Sequence, residues 1–247
     1  MELMVVSGAS RGLGLAFTQS LLRRTSGTIV AASRSGTSPA LEQLVADHPG
    51  RVLPIACDVT NQEQTRALGA RIKSDYAGRK VDLVLNVAGV LHDVGGSGYM
   101  PERSLASIDA DAAMNVLAIN ALGPVLMTQA VAPQLSRGAI VANLSARVGS
   151  IGDNGLGGWW SYRMSKAALN MATMNMANEM RRRDVYAVSL HPGTTDTDLS
   201  VPFQKNVKPE KLFTPEFSTN SMLDVLDKLT PEDSGGFFAY DGSKIEY

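Results

Sequence analysis

Short apolar runs alternate with helix-length segments along the whole chain. Residues 3–6, 28–32, 52–56, 81–87, 139–143 and 185–190 read as strands. Each is nearly continuously apolar rather than alternating, the pattern of parallel strands covered on both faces. Segments 13–24, 40–47, 62–76 and 111–134 are long enough for crossover helices, and a last strand over 236–240 follows a helix over 221–229. Strands alternating with helices predict an α/β fold, a doubly wound parallel sheet of the Rossmann kind. No repeat and no Gly/Ser/Pro linker interrupts the pattern, so residues 1–247 are expected to form a single domain. Two stretches depart from it. Residues 149–158 carry five glycines and end at Trp159-Trp160. Residues 194–219 hold Pro202, Pro209 and Pro215 with Phe203, Phe213 and Phe217, which predicts an irregular lid mobile without ligand.

Composition narrows the function classes. Hydrophobic residues are 44% and charged residues 19%, a folded globular mixture. Lys and Arg number 23 against 24 Asp and Glu, so the basic excess of a nucleic-acid binder is missing. A single cysteine, Cys57, excludes an intrachain disulfide and a cysteine-based zinc cage. His48, His92 and His191 are too scattered for metal-ligand spacing, and no metal is expected. No apolar run approaches the ~18 residues of a bilayer span. The amino terminus reaches Ser7-Gly8 too soon for a signal-peptide core, so a cytoplasmic protein with no membrane partner is expected.

The candidate chemistry begins where the first strand ends. Gly8, Gly12 and Gly14 open the first helix in a Gly-x-x-x-Gly-x-Gly spacing. Gly8 permits a tight turn, Gly12 lets backbone approach a pyrophosphate, and Gly14 lets helix and strand pack closely. The helix amino end then offers N–H groups to the anion. The second strand runs into Ser33-Arg34-Ser35, with no acid before Glu42 to take a ribose 2′-hydroxyl. Arg34, helped by Arg11 in the glycine loop, suits a 2′-phosphate instead and points to NADP(H). Further on, Tyr162 and Lys166 lie four apart on a helix running to about Met180, hence on one face. An ammonium beside a phenol favours the phenolate, so Tyr162 can exchange a proton with a carbonyl or alcohol oxygen. Ser145, at a strand's carboxyl end, can donate a hydrogen bond to that oxygen.

With Cys57-Asp58-Val59-Thr60, Asn86-Val87-Ala88-Gly89, Asn120 and His191-Pro192-Gly193 in the same order, the whole chain resembles the short-chain dehydrogenase/reductase family. Residues 163–170 and 237–242 resemble its sniffer-type carbonyl reductases and C-factor group. The resemblance implies that Ser145 polarises the carbonyl and Tyr162 is the acid/base. Lys166 would lower the tyrosine pKa and bind the nicotinamide ribose, and Asn120 would hold a water linking Lys166 to solvent. It implies cofactor contacts at Gly8, Ser10, Arg11, Gly12, Leu13, Gly14, Arg34, Asp58, Val59, Asn86, Ala88, Gly89, Tyr162, Lys166, Pro192, Gly193, Thr195 and Thr197. The family's second asparagine is Val87 here, and Ser145 and Tyr162 stand 17 apart because of the 149–158 insertion.

An NADPH-dependent reductase of a small-molecule ketone, aldehyde or quinone is the leading expectation. The alternative is an NADP-binding regulatory or signalling protein of the C-factor type, which has no need of an activated tyrosine. A sugar-nucleotide epimerase would need an additional substrate domain. Met164, Met171, Met174, Met176 and Met180 read as core or subunit filler, with a homodimer or homotetramer within what the resemblance implies. Trp159-Trp160 suits a substrate entrance or a core cap equally.

Overall fold

The computed structural model describes residues 2–91 and 100–247; His92 lies outside the described residues. Among the described residues nine strands follow in chain order: β1 (Leu3–Ser7), β2 (Thr28–Ser33), β3 (Val52–Ala56), β4 (Val81–Asn86), β5 (Leu135–Leu144), β6 (Tyr186–His191), β7 (Thr194–Thr195), β8 (Leu212–Phe213) and β9 (Phe237–Ala239). Seven form one parallel sheet in the order β3-β2-β1-β4-β5-β6-β9. The helices are α1 (Gly12–Arg24), α2 (Pro39–Asp47), α3 (Gln62–Asp75), α4 (Ala110–Leu117), α5 (Gly123–Val131), α6 (Trp160–Met180) and α7 (Pro215–Leu226). All five residues of β1 are buried because both sheet faces are covered. Leu3 and Val5 face Leu68, Ile72, Met127, Val131, Met176 and Met180 from α3, α5 and α6. Met4 and Val6 face Phe17, Leu21, Leu41, Met222 and Leu223 from α1, α2 and α7. The strand order reverses between β1 and β4, and the carboxyl ends of these two strands open the crevice where such sheets bind ligands.

Two stretches depart from what the sequence predicts. Residues 111–134 do not form one regular helix: a π-helical turn, Ala118–Leu122, separates α4 from α5. Pro124 has no N–H to give the Asn120 carbonyl four residues earlier, so the helix widens there. The same stretch, Ala110–Gln134, is 25 residues long and contains an 18-residue window of mean hydropathy 1.5, long and apolar enough to cross a bilayer, contrary to the expectation. Here it packs on the sheet, with Met127 and Val131 fully buried. The second correction concerns residues 194–219, which hold β7, β8 and the first turn of α7. Pro215 sits at the first position of α7, where a missing N–H costs nothing, and Thr214 caps it by accepting the Phe217 N–H at 3.2 Å.

Helix starts also show where the site lies. Ser38, Asn61, Asp109 and Thr214 cap α2, α3, α4 and α7 with their own side chains. The residues preceding α1 and α6, Arg11 and Trp159, do not. Those two helices carry the glycine loop and the Tyr162–Lys166 pair.

Candidate active site

A cleft of about 550 Å³ lies over the carboxyl ends of the central strands. Of the residues expected along a cofactor it is lined by Gly8, Ser10, Arg11, Gly12, Leu13, Gly14, Arg34, Asp58, Val59, Ala88, Gly89 and Thr197. A Cβ at Gly14 would stand 2.2 Å from the Gly8 carbonyl oxygen, so only glycine lets helix and loop meet this closely. Gly12, at φ +53°, has nothing nearer to a Cβ than Thr197 at 3.8 Å. The amino end of α1 has no side-chain cap and no acid in its first turn. The buried Ser33 hydroxyl lines the cleft beside Arg34 and has no hydrogen-bond partner among the described residues. An uncapped helix end, an open glycine, an exposed arginine and an orphaned hydroxyl fit a dinucleotide with a phosphorylated ribose. Arg11 instead reaches the exposed Asp198 carboxylate at 3.4 Å, an acid in the cleft that the sequence reading did not single out.

Asn86, Tyr162, Lys166, Pro192, Gly193 and Thr195 do not line the cleft, Tyr162 and Lys166 lying beyond its inner end. Asn86 is buried, and its amide nitrogen donates to Asn143 Oδ1 at 2.8 Å and Thr128 Oγ1 at 3.0 Å, bracing β4 against β5 and α5. The carbonyls of Pro192 and Thr195 accept from Ser218 at 2.7 Å and Ser200 at 2.6 Å. Gly193, at φ +72°, turns the chain from β6 into β7 beneath the Phe213 ring. These residues shape the turn that lays Thr197 against Gly12.

The inner end of the cleft, at Leu144 and Gly89, meets α6. Lys166 Nζ donates to the Leu144 carbonyl at 2.7 Å and would be 3.6 Å from a Cβ on Gly89. It lies 5.6 Å from the centre of the Tyr162 ring, and both side chains are buried. Burial lowers the Lys166 ammonium to about 7 and pushes the Tyr162 phenol well above its ordinary value. The expected lowering of the phenol is therefore not seen: Nζ is bonded to a carbonyl, and withdrawal from water governs both groups. Ser145, also buried, donates its hydroxyl to Asn170 Oδ1 at 2.7 Å.

Asn120 is fully buried in the π-helical turn. Its Oδ1 accepts the Val90 N–H at 2.8 Å, and its Nδ2 donates to the Val90 carbonyl at 2.8 Å and to Ser165 at 3.0 Å. The side chain is thus committed to clamping the loop after β4 to α6.

Two further residues escaped the sequence reading. Glu102 is buried; its carboxylate accepts the Ser161 N–H at 3.3 Å and the Ser161 hydroxyl, and its carbonyl accepts the Trp159 N–H at 2.5 Å. It thereby caps α6 from 59 residues away and grips both sides of Trp159, a residue held at φ +50°. Asn170 continues the Tyr162–Lys166 face at the next helical turn, a spacing visible in the sequence. Trp159 itself faces the site: its ring lies 6.3 Å from that of Tyr162 and 5.1 Å from that of Phe203. Leu91, Ala146, Val148 and Leu199 complete this apolar wall. Trp160 is more exposed. Among the described residues no group of His, Cys, Asp and Glu can hold a metal, and the Cys57 thiol is buried and pushed up to about 11 by that burial.

The sequence model of short chain dehydrogenases matches residues 2–208. Over 247 residues, the full length of both proteins, the chain is 36% identical to the 1-hydroxy-2-glutathionyl-2-methyl-3-butene dehydrogenase of Rhodococcus sp. (strain AD45). It is 39% identical over 169 residues to the C-signal of Myxococcus xanthus, covering 68% of this chain and 93% of that one. The NADPH-bound carbonyl reductase from chicken fatty liver superposes over the whole of both chains with a TM-score of 0.87 at 28% identity.

Proposed function

The chain belongs to the short-chain dehydrogenase family and is an oxidoreductase, and from that membership we propose that it reduces a ketone, aldehyde or quinone to an alcohol at the expense of NADPH. One observation carries this reading: the cleft lined by the glycine loop and Arg34 ends at Leu144 and Gly89, where Lys166 sits with Tyr162 beside it. The glycine loop with Ser10 and Leu13 would hold the pyrophosphate, Arg34 the 2′-phosphate, and Asp58 and Val59 the adenine. Ala88, Gly89, Lys166 and Thr197 would hold the nicotinamide half, and bound there the cofactor supplies hydride to the carbonyl carbon.

The chain's own residues handle the oxygen. Tyr162 gives its hydroxyl proton to that oxygen as negative charge develops, and Ser145 donates a hydrogen bond to it. A Lys166 ammonium drawn to the cofactor ribose would stabilise the phenolate left behind. The wall of Leu91, Trp159, Leu199 and Phe203 keeps water away from the proton transfer. We place the protein in the cytoplasm. Exposed Met164 and Met171 on α6 support self-association as a homodimer or homotetramer. The match to C-signal supports a second reading, an NADP-binding signalling protein.

Tyr162→Phe separates the two. Under the reductase reading it abolishes NADPH oxidation by carbonyls that the native protein reduces, while the NADPH dissociation constant changes little. Unreduced turnover would remove Tyr162 from the acid role. A native protein that binds NADPH but reduces nothing in a broad carbonyl panel would favour signalling.

A further inference from the structure

Ser145 has one hydroxyl proton, and in this structure that proton is given to Asn170. The Gly149 carbonyl accepts the amide N–H of Asn170 at 3.3 Å and so decides which way the carboxamide faces. Its oxygen therefore points at Ser145. Gly149 cannot drift, because it is seated on α6: a Cβ there would stand 2.5 Å from Lys166 Cβ. Asn170 is itself 3% exposed and lies two turns beyond Tyr162 and one beyond Lys166 on the same helix face. The end of β5, the turn Arg147–Gly149 and α6 thus form a closed hydrogen-bonded ring around the Ser145 hydroxyl.

We propose that Asn170 is a positioning residue for carbonyl reduction, acting through Ser145 and making its hydrogen bond to the substrate oxygen selective for the transition state. The proposal rests on the reductase reading above. A carboxamide oxygen and a neutral ketone oxygen are acceptors of similar strength. A carbonyl arriving in the site therefore gains little by drawing the Ser145 proton away from Asn170. As hydride reaches the carbon, the oxygen becomes an alkoxide, a much stronger acceptor than the amide. The hydroxyl then swings to it by rotation about Cβ–Oγ, with Oγ already in place. An interaction realised only as charge develops raises kcat without lowering KM. Without Asn170 the hydroxyl is free to donate to the ground-state carbonyl and is held less well when the charge appears.

The test is a double-mutant cycle on Ser145→Ala and Asn170→Ala, with any carbonyl the native protein reduces. Asn170→Ala should lower kcat by about tenfold, leave the NADPH dissociation constant unchanged, and leave KM unchanged or lower. Equilibrium binding of the carbonyl to the protein–NADP+ complex should be unchanged or tighter, a readout independent of turnover. In the Ser145→Ala background, Asn170→Ala should change kcat by less than about twofold. Asn170→Asp, of nearly the same volume, covers the case in which the alanine variant fails to fold. Its carboxylate holds the Ser145 proton more strongly than an amide, so kcat should fall and recover as pH drops and the carboxylate is protonated. An equal loss from Asn170→Ala with and without Ser145, a raised KM at unchanged kcat, or a pH-independent Asn170→Asp would overturn the positioning role. If Ser145→Ala and Tyr162→Phe both leave turnover intact, the roles assigned to Ser145 and Tyr162 fall instead, and a native protein that reduces no carbonyl sinks the reductase reading on which the proposal rests.

Discussion

Arg34 is the residue on which the choice of cofactor rests. It is exposed at one end of the cleft next to the orphaned Ser33 hydroxyl, and among the described residues no carboxylate pairs with it. NADPH should therefore bind much more tightly than NADH, and Arg34→Asp should lose ~1.5–3 kcal/mol, roughly tenfold or more in NADPH affinity. Fluorescence titration with both nucleotides checks this, and equal affinities in the native protein would refute it. Arg11 differs, since the Asp198 carboxylate competes for its guanidinium. His191, at the end of β6, controls a different property. Burial first, and then the Arg147 charge, pull its imidazole down to about 4 against the weaker opposite pull of Asp241 and Asp153. Its Nδ1 has no partner among the described residues, in keeping with a neutral ring. Above pH ~6.5 the imidazole is neutral in both folded and unfolded chains. Between there and pH 4 only the unfolded chain takes the proton, so stability falls as pH falls. At pH 5 this single group should account for about 1–2 kcal/mol of lost stability relative to pH 7. Urea unfolding of the native protein and of His191→Gln at both pH values should show the variant losing less; parallel losses would mean the imidazole titrates normally.

At the scale of elements, legibility followed from how far away a residue's partner lies. The central strands were readable because both faces are covered, which makes their sequences continuously apolar. The Tyr162–Lys166 face was readable because its partners lie one turn apart. The break between α4 and α5 had a local cause, Pro124, but the strong apolar pattern over 111–134 concealed it. Pro215 reads in the sequence as an obstacle to regular structure, and in the fold it opens a helix. Glu102 left no trace in the sequence, because its role depends on α6 coming to meet it. The expected depression of the Tyr162 phenol failed for a related reason: spacing places the two groups on a face but says nothing about how much water reaches them. Glu102 also supports a prediction at this scale. Removing its carboxylate takes one acceptor from the Ser161 N–H and hydroxyl and loosens the start of α6 beside Trp159, whose left-handed conformation a bulky side chain rarely adopts and whose N–H the Glu102 carbonyl alone would then hold. Glu102→Ala should destabilise the fold by ~1–3 kcal/mol and redshift tryptophan emission as the ring leaves the wall beside Tyr162. Unchanged emission and an unchanged urea midpoint would show that α6 starts correctly without this cap.

Across the whole molecule, the cofactor half of the site is an open cleft while the substrate half is covered. The cover comes from residues 194–219, and its two ends behave differently. One end is built into the scaffold: β7 pairs with β8, and Phe213 and Phe217 pack on Tyr240 with ring centres 4.6 and 6.0 Å away. These two phenylalanines are therefore not part of a lid, contrary to the expectation from their sequence. The other part, residues 196–207, has one short helical turn, Gln204–Asn206, and its hydrogen bonds stay local apart from those to Phe213 and Arg11. It rests on the site through Leu199 and through Phe203 against Trp159, and its Asp198 meets Arg11 across the cleft. An exposed pair such as Asp198–Arg11 contributes ~1 kcal/mol or less, and one ring contact adds about as much. So few contacts cannot hold a flap shut over the wall of Phe203 and Trp159 beside Tyr162. Amides of 198–207 should accordingly exchange with solvent faster than those of β8 and α7 in the free protein, and slow by about tenfold or more when NADPH and a carbonyl or its alcohol fill the site. Hydrogen exchange followed by mass spectrometry reads both segments in one experiment. Protection of 198–207 equal to that of α7 before any ligand is added would make the flap part of the scaffold, and substrates would then have to enter past residues 149–158.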